Sequence, residues 1–212
     1  MKVIVVGATG TIGREITGAL GERHEVVCAC RTNAAECVDI TSPASIEGLF
    51  ERVAAVDAVV CAAGDARFGP METLTDADYG VGLVSKIMGQ VNLARIAAGH
   101  LRDNGSITLT AGMTGRMPIA GTTSYAMANS AIEGYVRAAA LELPRGLRIN
   151  AVSPTWTIET LRLLGMDRSW GVPAAEVALG YLESVEGNLT GTVIDAGWRY
   201  DPTSGSATVA AA

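Results

Sequence analysis

The chain has 212 residues, a formal net charge of −6, and 49% hydrophobic against 18% charged residues. That length suits one domain with a sizeable core, and the acidic balance argues against nucleic acid as a partner, because phosphates need a basic face. No apolar run of about 18 residues occurs, so no membrane span is expected, and Lys2 leads into a strand rather than a leader peptide, which points to the cytoplasm.

Residues 2–6 form a short β-branched apolar run that predicts a buried strand. Gly7, Gly10 and Gly13 follow at a spacing of three, and residues 14–20 are compatible with a helix. In that order, glycines let the backbone approach a pyrophosphate, and free N–H groups of the helix face the phosphate charge. Gly7, Thr9, Gly10, Thr11, Ile12 and Gly13 are therefore candidate cofactor-binding residues, with a tight turn that holds no ligand as the other reading. The Lys-containing phosphate loop is excluded, because no Lys follows the last glycine.

Residues 25–29 predict a second strand, ending at Cys30-Arg31-Thr32-Asn33. A residue here would face the adenosine ribose of a dinucleotide, where an acid marks NAD. Arg31 instead suits a 2′-phosphate through charge-assisted hydrogen bonds, with Arg14 as an assistant, which points to NADP(H). Each arginine also reads as a solvated surface charge. Residues 37–40 predict a short strand with Asp39 near its end. Ser42 and Pro43 start a helix that runs to about residue 53. Residues 57–61 predict a strand closed by Ala62, Ala63 and Gly64, small enough for backbone to lie against a flat cofactor.

A long helical stretch over 75–101 is interrupted by Gly80, Gly82 and Gly89. A strand at 105–110, a glycine-bearing loop at 111–122 and a helix at 123–143, stopped by Pro144, come next. A strand at 147–152 ends at Ser153-Pro154. Residues 155–172 are irregular with some helix, 173–185 a helix and 190–195 a last strand, while 201–212 predict a disordered tail. The alternation predicts an α/β protein: a single doubly wound domain over 1–200, with about seven parallel strands and helices on both faces. Binding then belongs at the carboxyl ends of the strands. Cys28, Cys30, Cys37 and Cys61 read as small buried hydrophobes, and neither His24 nor His100 sits in a metal-ligand pattern, so no metal is expected.

Those strand ends carry a series: GATGTIG from residue 7, Asp39, CAAG at 61–64, GSITLT at 105–110, YAMAN at 125–129 and RINAVSP at 148–154. Together they resemble the short-chain dehydrogenase/reductase family to about Gly197. The resemblance implies a Rossmann fold, a nicotinamide dinucleotide, and hydride transfer between a carbonyl and an alcohol on a small molecule. The family's active centre uses a Tyr, a Lys four residues later, a Ser thirteen before the Tyr, and an Asn on the preceding long helix. In this chain Tyr125 holds the Tyr place, Asn129 the Lys place, Gly112 the Ser place and Lys86 the Asn place. Lys and Asn thus look exchanged, and Pro154 precedes Thr155 where the family has Pro-Gly.

The chemistry needs a cation near the phenol, since an ammonium favours the ionised form, and Lys86 can supply it from the neighbouring helix. A reductase also needs a donor to the substrate oxygen, where negative charge develops. Thr110, Thr114 and Asn129 are candidates for that donor, Thr110 because it lies two residues before Gly112. Trp156, Leu161, Leu163, Leu164, Met166 and Trp170 suggest either an apolar or aromatic substrate surface or plain packing. Small residues on the helices at 83–101 and 123–143 allow close packing, and the resemblance adds that such helices form homo-oligomers. Three readings stand: an NADP(H)-dependent oxidoreductase with Tyr125 as general acid/base, a nucleotide-binding protein without redox turnover, and an enzyme repurposed for cyclisation or dehydration.

Overall fold

A computed structural model of the chain describes residues 1–201 and 206–208, with side chains for residues 1–198. Seven parallel strands, β1 (Lys2–Val6), β2 (Glu25–Cys30), β3 (Glu36–Cys37), β4 (Ala58–Cys61), β5 (Ser106–Thr110), β6 (Arg148–Pro154) and β7 (Val193–Ala196), form one sheet in the order β3-β2-β1-β4-β5-β6-β7. The central strands β1 and β4 are buried on both faces, as their unbroken apolar runs require.

One face is covered by α2 (Pro43–Arg52), α4 (Gly89–His100) and α5 (Thr123–Ala139), which bury Ile46, Leu49, Leu93, Ala97, Ile132 and Val136 against Ile4, Val59, Ile107 and Ile149. The other is covered by α1 (Thr11–Gly21) and α7 (Ala174–Glu186), through Ile16, Leu20, Val177 and Tyr181 against Val3, Val5, Val60 and Val152. In each helix these residues recur at three- and four-residue steps, the period that puts them on one stripe. Ser42 caps α2 by accepting the Ser45 backbone N–H at 3.3 Å, with Pro43 in its first turn.

Strand order reverses between β1 and β4, so the crevice of a doubly wound sheet opens at their carboxyl ends. Three local readings differ from expectation. The strand expected at 37–40 is only Glu36–Cys37, with Val38 and Asp39 beyond it, because Asp39 turns to bond Thr41. The stretch at 75–101 is not broken by its glycines. α3 (Asp76–Val81) runs into a π-helical segment, Gly82–Met88, and then into α4. Gly89 is needed there for packing, since a Cβ would lie 2.8 Å from Ile40. Cys37 is exposed rather than buried, and all four cysteines are free.

Arg199–Asp201 and Ser206–Thr208 pair as short antiparallel strands, and the rest of the expected tail, 202–205 and 209–212, lies outside the described residues. Among the described residues no helix is long and apolar enough to cross a membrane, and no group of three or more His, Cys, Asp or Glu is placed to hold a metal ion.

Candidate active site

The crevice has two parts. The first is a cleft of about 380 Å³ over the ends of β1, β2 and β4, lined by Gly7, Thr9, Gly10, Arg31, Thr32, Asp39, Thr41, Ala62, Ala63, Gly64, Asp65 and Ser85. Gly7 sits at φ +85, and a Cβ there would come 2.6 Å from the Ala62 carbonyl oxygen, so the turn and the β4 end close on each other through glycine alone. Gly13 is equally obligatory, because a Cβ would meet the Gly7 carbonyl. Gly10 is the N-cap of α1 and offers no side chain to its N–H groups, which leaves them free beside the open cleft.

Arg31 is exposed on the wall of this cleft. Asp39 accepts the Thr41 hydroxyl and backbone N–H at 2.7 and 2.9 Å, and these bonds, with Arg31 nearby, hold its carboxyl below the usual range. Thr11, Gly13 and Arg14 do not line the cleft, and Arg14 points to solvent. Thr32, Thr41 and Ser85 do line it and were not singled out from the sequence, where a lone hydroxyl residue carries no pattern.

The second part is a cavity of about 280 Å³, lined by Ile12, Phe68, Lys86, Thr110, Ala111, Gly112, Met113, Thr114, Tyr125, Asn129, Pro154, Thr155, Trp156, Thr160 and Leu164. It brings Tyr125, Lys86, Asn129 and Thr110 to one place, together with Ile12 and Pro154. Lys86 is carried by the π-helical segment, where the Gly89 N–H reaches back to the Val84 carbonyl. The widened turn supplies an extra residue at a point where function often sits. Lys86 is 6% exposed, and its Nζ donates to the Thr110 and Ala111 carbonyls at 3.2 and 3.3 Å. Burial lowers its pKa to about 8, against smaller upward pulls from Cys61 and Asp65.

Gln90, fully buried one turn on, ties this arrangement to the sheet. Its Nε2 donates to the Lys86 and Thr110 carbonyls at 3.0 and 2.9 Å, and its Oε1 accepts the Thr110 N–H at 2.7 Å. The sequence reading passed over Gln90. Its signal was a polar residue four after Lys86, on the helix face that meets the sheet.

The Tyr125 phenol is pushed up by burial and then by the Asp65 carboxylate, against a hydrogen bond from the Ala66 backbone and the Arg67 charge. This corrects the expectation of a phenol ionised by Lys86. The Lys86 ammonium is directed at the Thr110 and Ala111 carbonyls at the end of β5, and it is not among the charges acting on the phenol. Thr110 is also corrected as an oxygen donor. Its Oγ1 donates to the Cys61 carbonyl at 2.5 Å and lies 2.8 Å from the Tyr181 hydroxyl on the α7 side of the sheet.

Asn129 lies over Gly112, where a Cβ would come 2.8 Å from its Nδ2, and that Nδ2 donates to Thr114 Oγ1 at 2.8 Å. Of the apolar residues expected around a substrate, Trp156 and Leu164 face the cavity. Trp170 backs Trp156 edge-on at 6.0 Å, Leu161 is core, and Leu163 is exposed.

A seven-stranded doubly wound sheet, a glycine turn against its switch point, and a tyrosine cavity beside that turn define a Rossmann domain of the dehydrogenase kind. The chain belongs to the short-chain dehydrogenase/reductase family: residues 14–171 match the family described as enoyl-(acyl carrier protein) reductase. It is similar to the crystal structure of the protein lin1944 from Listeria innocua, at 40% identity and TM-score 0.88, with 92% of this chain and 98% of that one covered. A small-chain dehydrogenase solved in complex with NADPH shares 30% identity at TM-score 0.81, covering 92% and 96%. The 3-oxoacyl-[acyl-carrier-protein] reductase FabG of Escherichia coli is 28% identical over 203 residues, 84% of this chain and 82% of that one.

Proposed function

We propose that the protein is an NADP(H)-dependent oxidoreductase that interconverts a carbonyl and an alcohol on a small molecule, with Tyr125 as general acid/base. The observation that carries this reading is the meeting of Tyr125 and Lys86 in one cavity that adjoins a glycine-built cleft: a Cβ on Gly64, in the cleft wall, would lie 2.9 Å from Lys86 Cα. The cleft fits a dinucleotide, because the Gly7 turn, whose own N–H groups bond the Ala29 and Gly7 carbonyls, sets the uncapped N-terminus of α1 beside it, and the N–H groups of that helix end can face a pyrophosphate. Gly7, Thr9 and Gly10 would hold the phosphates, Ala62, Ala63 and Gly64 the flat face, and Arg31 with Thr32 a 2′-phosphate. The NADPH-bound relative supports the choice of NADP(H).

When bound, the nicotinamide supplies or accepts the hydride. Tyr125 gives its phenolic proton to the carbonyl oxygen in reduction and takes it back in oxidation. Burial raises the phenol's pKa, which favours the protonated form that acts as the acid. Lys86, held by the Thr110 and Ala111 carbonyls, puts positive charge on the wall of the cavity as negative charge grows on the substrate oxygen. Phe68, Trp156 and Leu164 favour an apolar or aromatic substrate. The reading includes a homo-oligomer, supported by Leu83, Val84 and Met88 left exposed along the π-helical segment and by the groove between α4 and α5.

NADPH oxidation with a panel of aliphatic and aromatic carbonyl compounds tests the reading. Turnover that Tyr125→Phe abolishes, with NADPH binding intact, is expected. Gly112 in the serine place favours a second reading, a nucleotide-binding protein without redox turnover, and NADPH binding with no oxidation of any carbonyl would select it.

A further inference from the structure

We propose that Thr114 is the catalytic residue that donates to the substrate oxygen, and that Asn129 positions it; the proposal rests on the carbonyl–alcohol reading above. The cavity offers four threonine hydroxyls. Thr110 Oγ1 is turned to the Cys61 carbonyl and Tyr181, and Thr155 Oγ1 donates to the Met113 sulfur at 3.3 Å. Thr160, on the covering helix α6 (Ile158–Leu163), likewise accepts a hydrogen bond, from the Thr157 hydroxyl at 2.8 Å, but it is half-buried, so water can take its own proton.

Thr114 differs from all three. It is 6% exposed, and its Oγ1 accepts the Asn129 amide at 2.8 Å. Its own O–H has no acceptor among the described residues, and Asn129 Oδ1, the other end of the same amide, is buried without a partner, so one polar group of the pair is left over whichever way the amide is turned. A buried polar group with no partner is unfavourable, and such groups persist where a ligand completes them. Accepting from the amide also polarises the hydroxyl and makes it a better donor.

The same contacts explain the altered residues together. Tyr125 and Asn129 are one turn apart on α5, and both line the cavity that Thr114, on the turn Met113–Gly115, also lines. The Asn129 amide lies where a side chain at position 112 would stand, since a Cβ there would come 2.8 Å from Nδ2. Glycine at 112, asparagine at 129 and threonine at 114 are therefore one constellation: loss of the serine opens the space for the amide, and the amide aims a different hydroxyl. In reduction the proton moves from Tyr125 to the substrate oxygen as the carbon takes the hydride. Thr114 keeps its proton and only hydrogen-bonds the oxygen.

The test uses the NADPH-loaded protein with two probes: the carbonyl panel for turnover, and benzoate, an aromatic carboxylate that presents oxygen to the same donor, read by tryptophan fluorescence. Thr114→Val is expected to lower kcat about 100-fold, the usual scale for one oxyanion donor, with NADPH affinity unchanged. It should also weaken benzoate about tenfold, while Thr114→Ser stays within about fivefold of the parent on both readouts. Asn129→Asp has nearly the same shape but would capture the Thr114 proton. It should lose as much turnover as Thr114→Val, whereas Asn129→Ala loses less, an order that a packing role does not produce. Parent-like turnover by Thr114→Val, or benzoate binding that is absent or indifferent to Thr114, overturns the assignment. Threonine-dependent benzoate binding with no carbonyl turned over would instead overturn the oxidoreductase reading and leave the donor in place.

Discussion

The cleft proposed to hold the nucleotide is built from backbone and glycine, the cavity proposed for the reaction from side chains. In the cleft, the Gly7 turn, the free N-terminus of α1 and the Ala62–Gly64 wall keep the family's order, because backbone geometry leaves few residue choices. In the cavity, Lys86, Asn129 and Gly112 stand at places where the family has Asn, Lys and Ser. There a charge or a hydroxyl is needed at a point in space, and more than one element can deliver it. A site made of backbone is rewired with difficulty, and a site made of side chains more easily.

The sharpest way to break that contrast is at Lys86. Lys86→Met is expected to lower turnover by about 100-fold or more while leaving NADPH affinity intact, because the cleft does not depend on this side chain. The same change should stabilise the fold by about 1–3 kcal/mol near neutral pH, since it removes a buried ammonium. The sign follows from the lowered pKa. Between about 8 and the ordinary 10.5 the native state holds fewer protons than the unfolded state, so the burden is full below about 8 and fades as pH rises. Urea titrations of both proteins across that range check it, and a stability difference that does not shrink would contradict it.

At Gly7 the expectation is reversed. Gly7→Ala forces a side chain onto the Ala62 carbonyl at positive φ, which should cost about 1–3 kcal/mol and weaken NADPH more than tenfold. Calorimetry with and without cofactor reads both. The smallest effect belongs to Arg31. Arg31→Ala should weaken NADPH about tenfold and leave NADH unchanged, one charge-assisted contact's worth. Equal loss of both cofactors would detach Arg31 from the 2′-phosphate.

These differences track what the sequence made legible. Lys2–Val6, the glycine turn and the Ser42-Pro43 helix start were readable because strand burial, glycine spacing and capping act locally. The π-helical segment was not, because glycines at 82 and 89 look like helix breaks, and only the closeness of Ile40 shows why Gly89 sits inside a continuous helix. That Tyr125, Lys86 and Asn129 would meet in one cavity was legible, but the direction of the Lys86 ammonium was not. Thr110 was favoured over Thr114 by strand alternation from Gly112. That rule fails because β5 ends at Thr110, and Thr108 and Thr110 both face α7, toward Ser184 and Tyr181.

The claim that an exchanged lysine serves the reaction is tested most directly by the pH dependence of kcat/KM for carbonyl reduction. Lys86 carries its charge only below about 8, so the rate should fall as pH rises through that value, while NADPH binding at the cleft stays level. A profile that stays flat into the ordinary lysine range would contradict the account, and so would an unchanged fall in Lys86→Met.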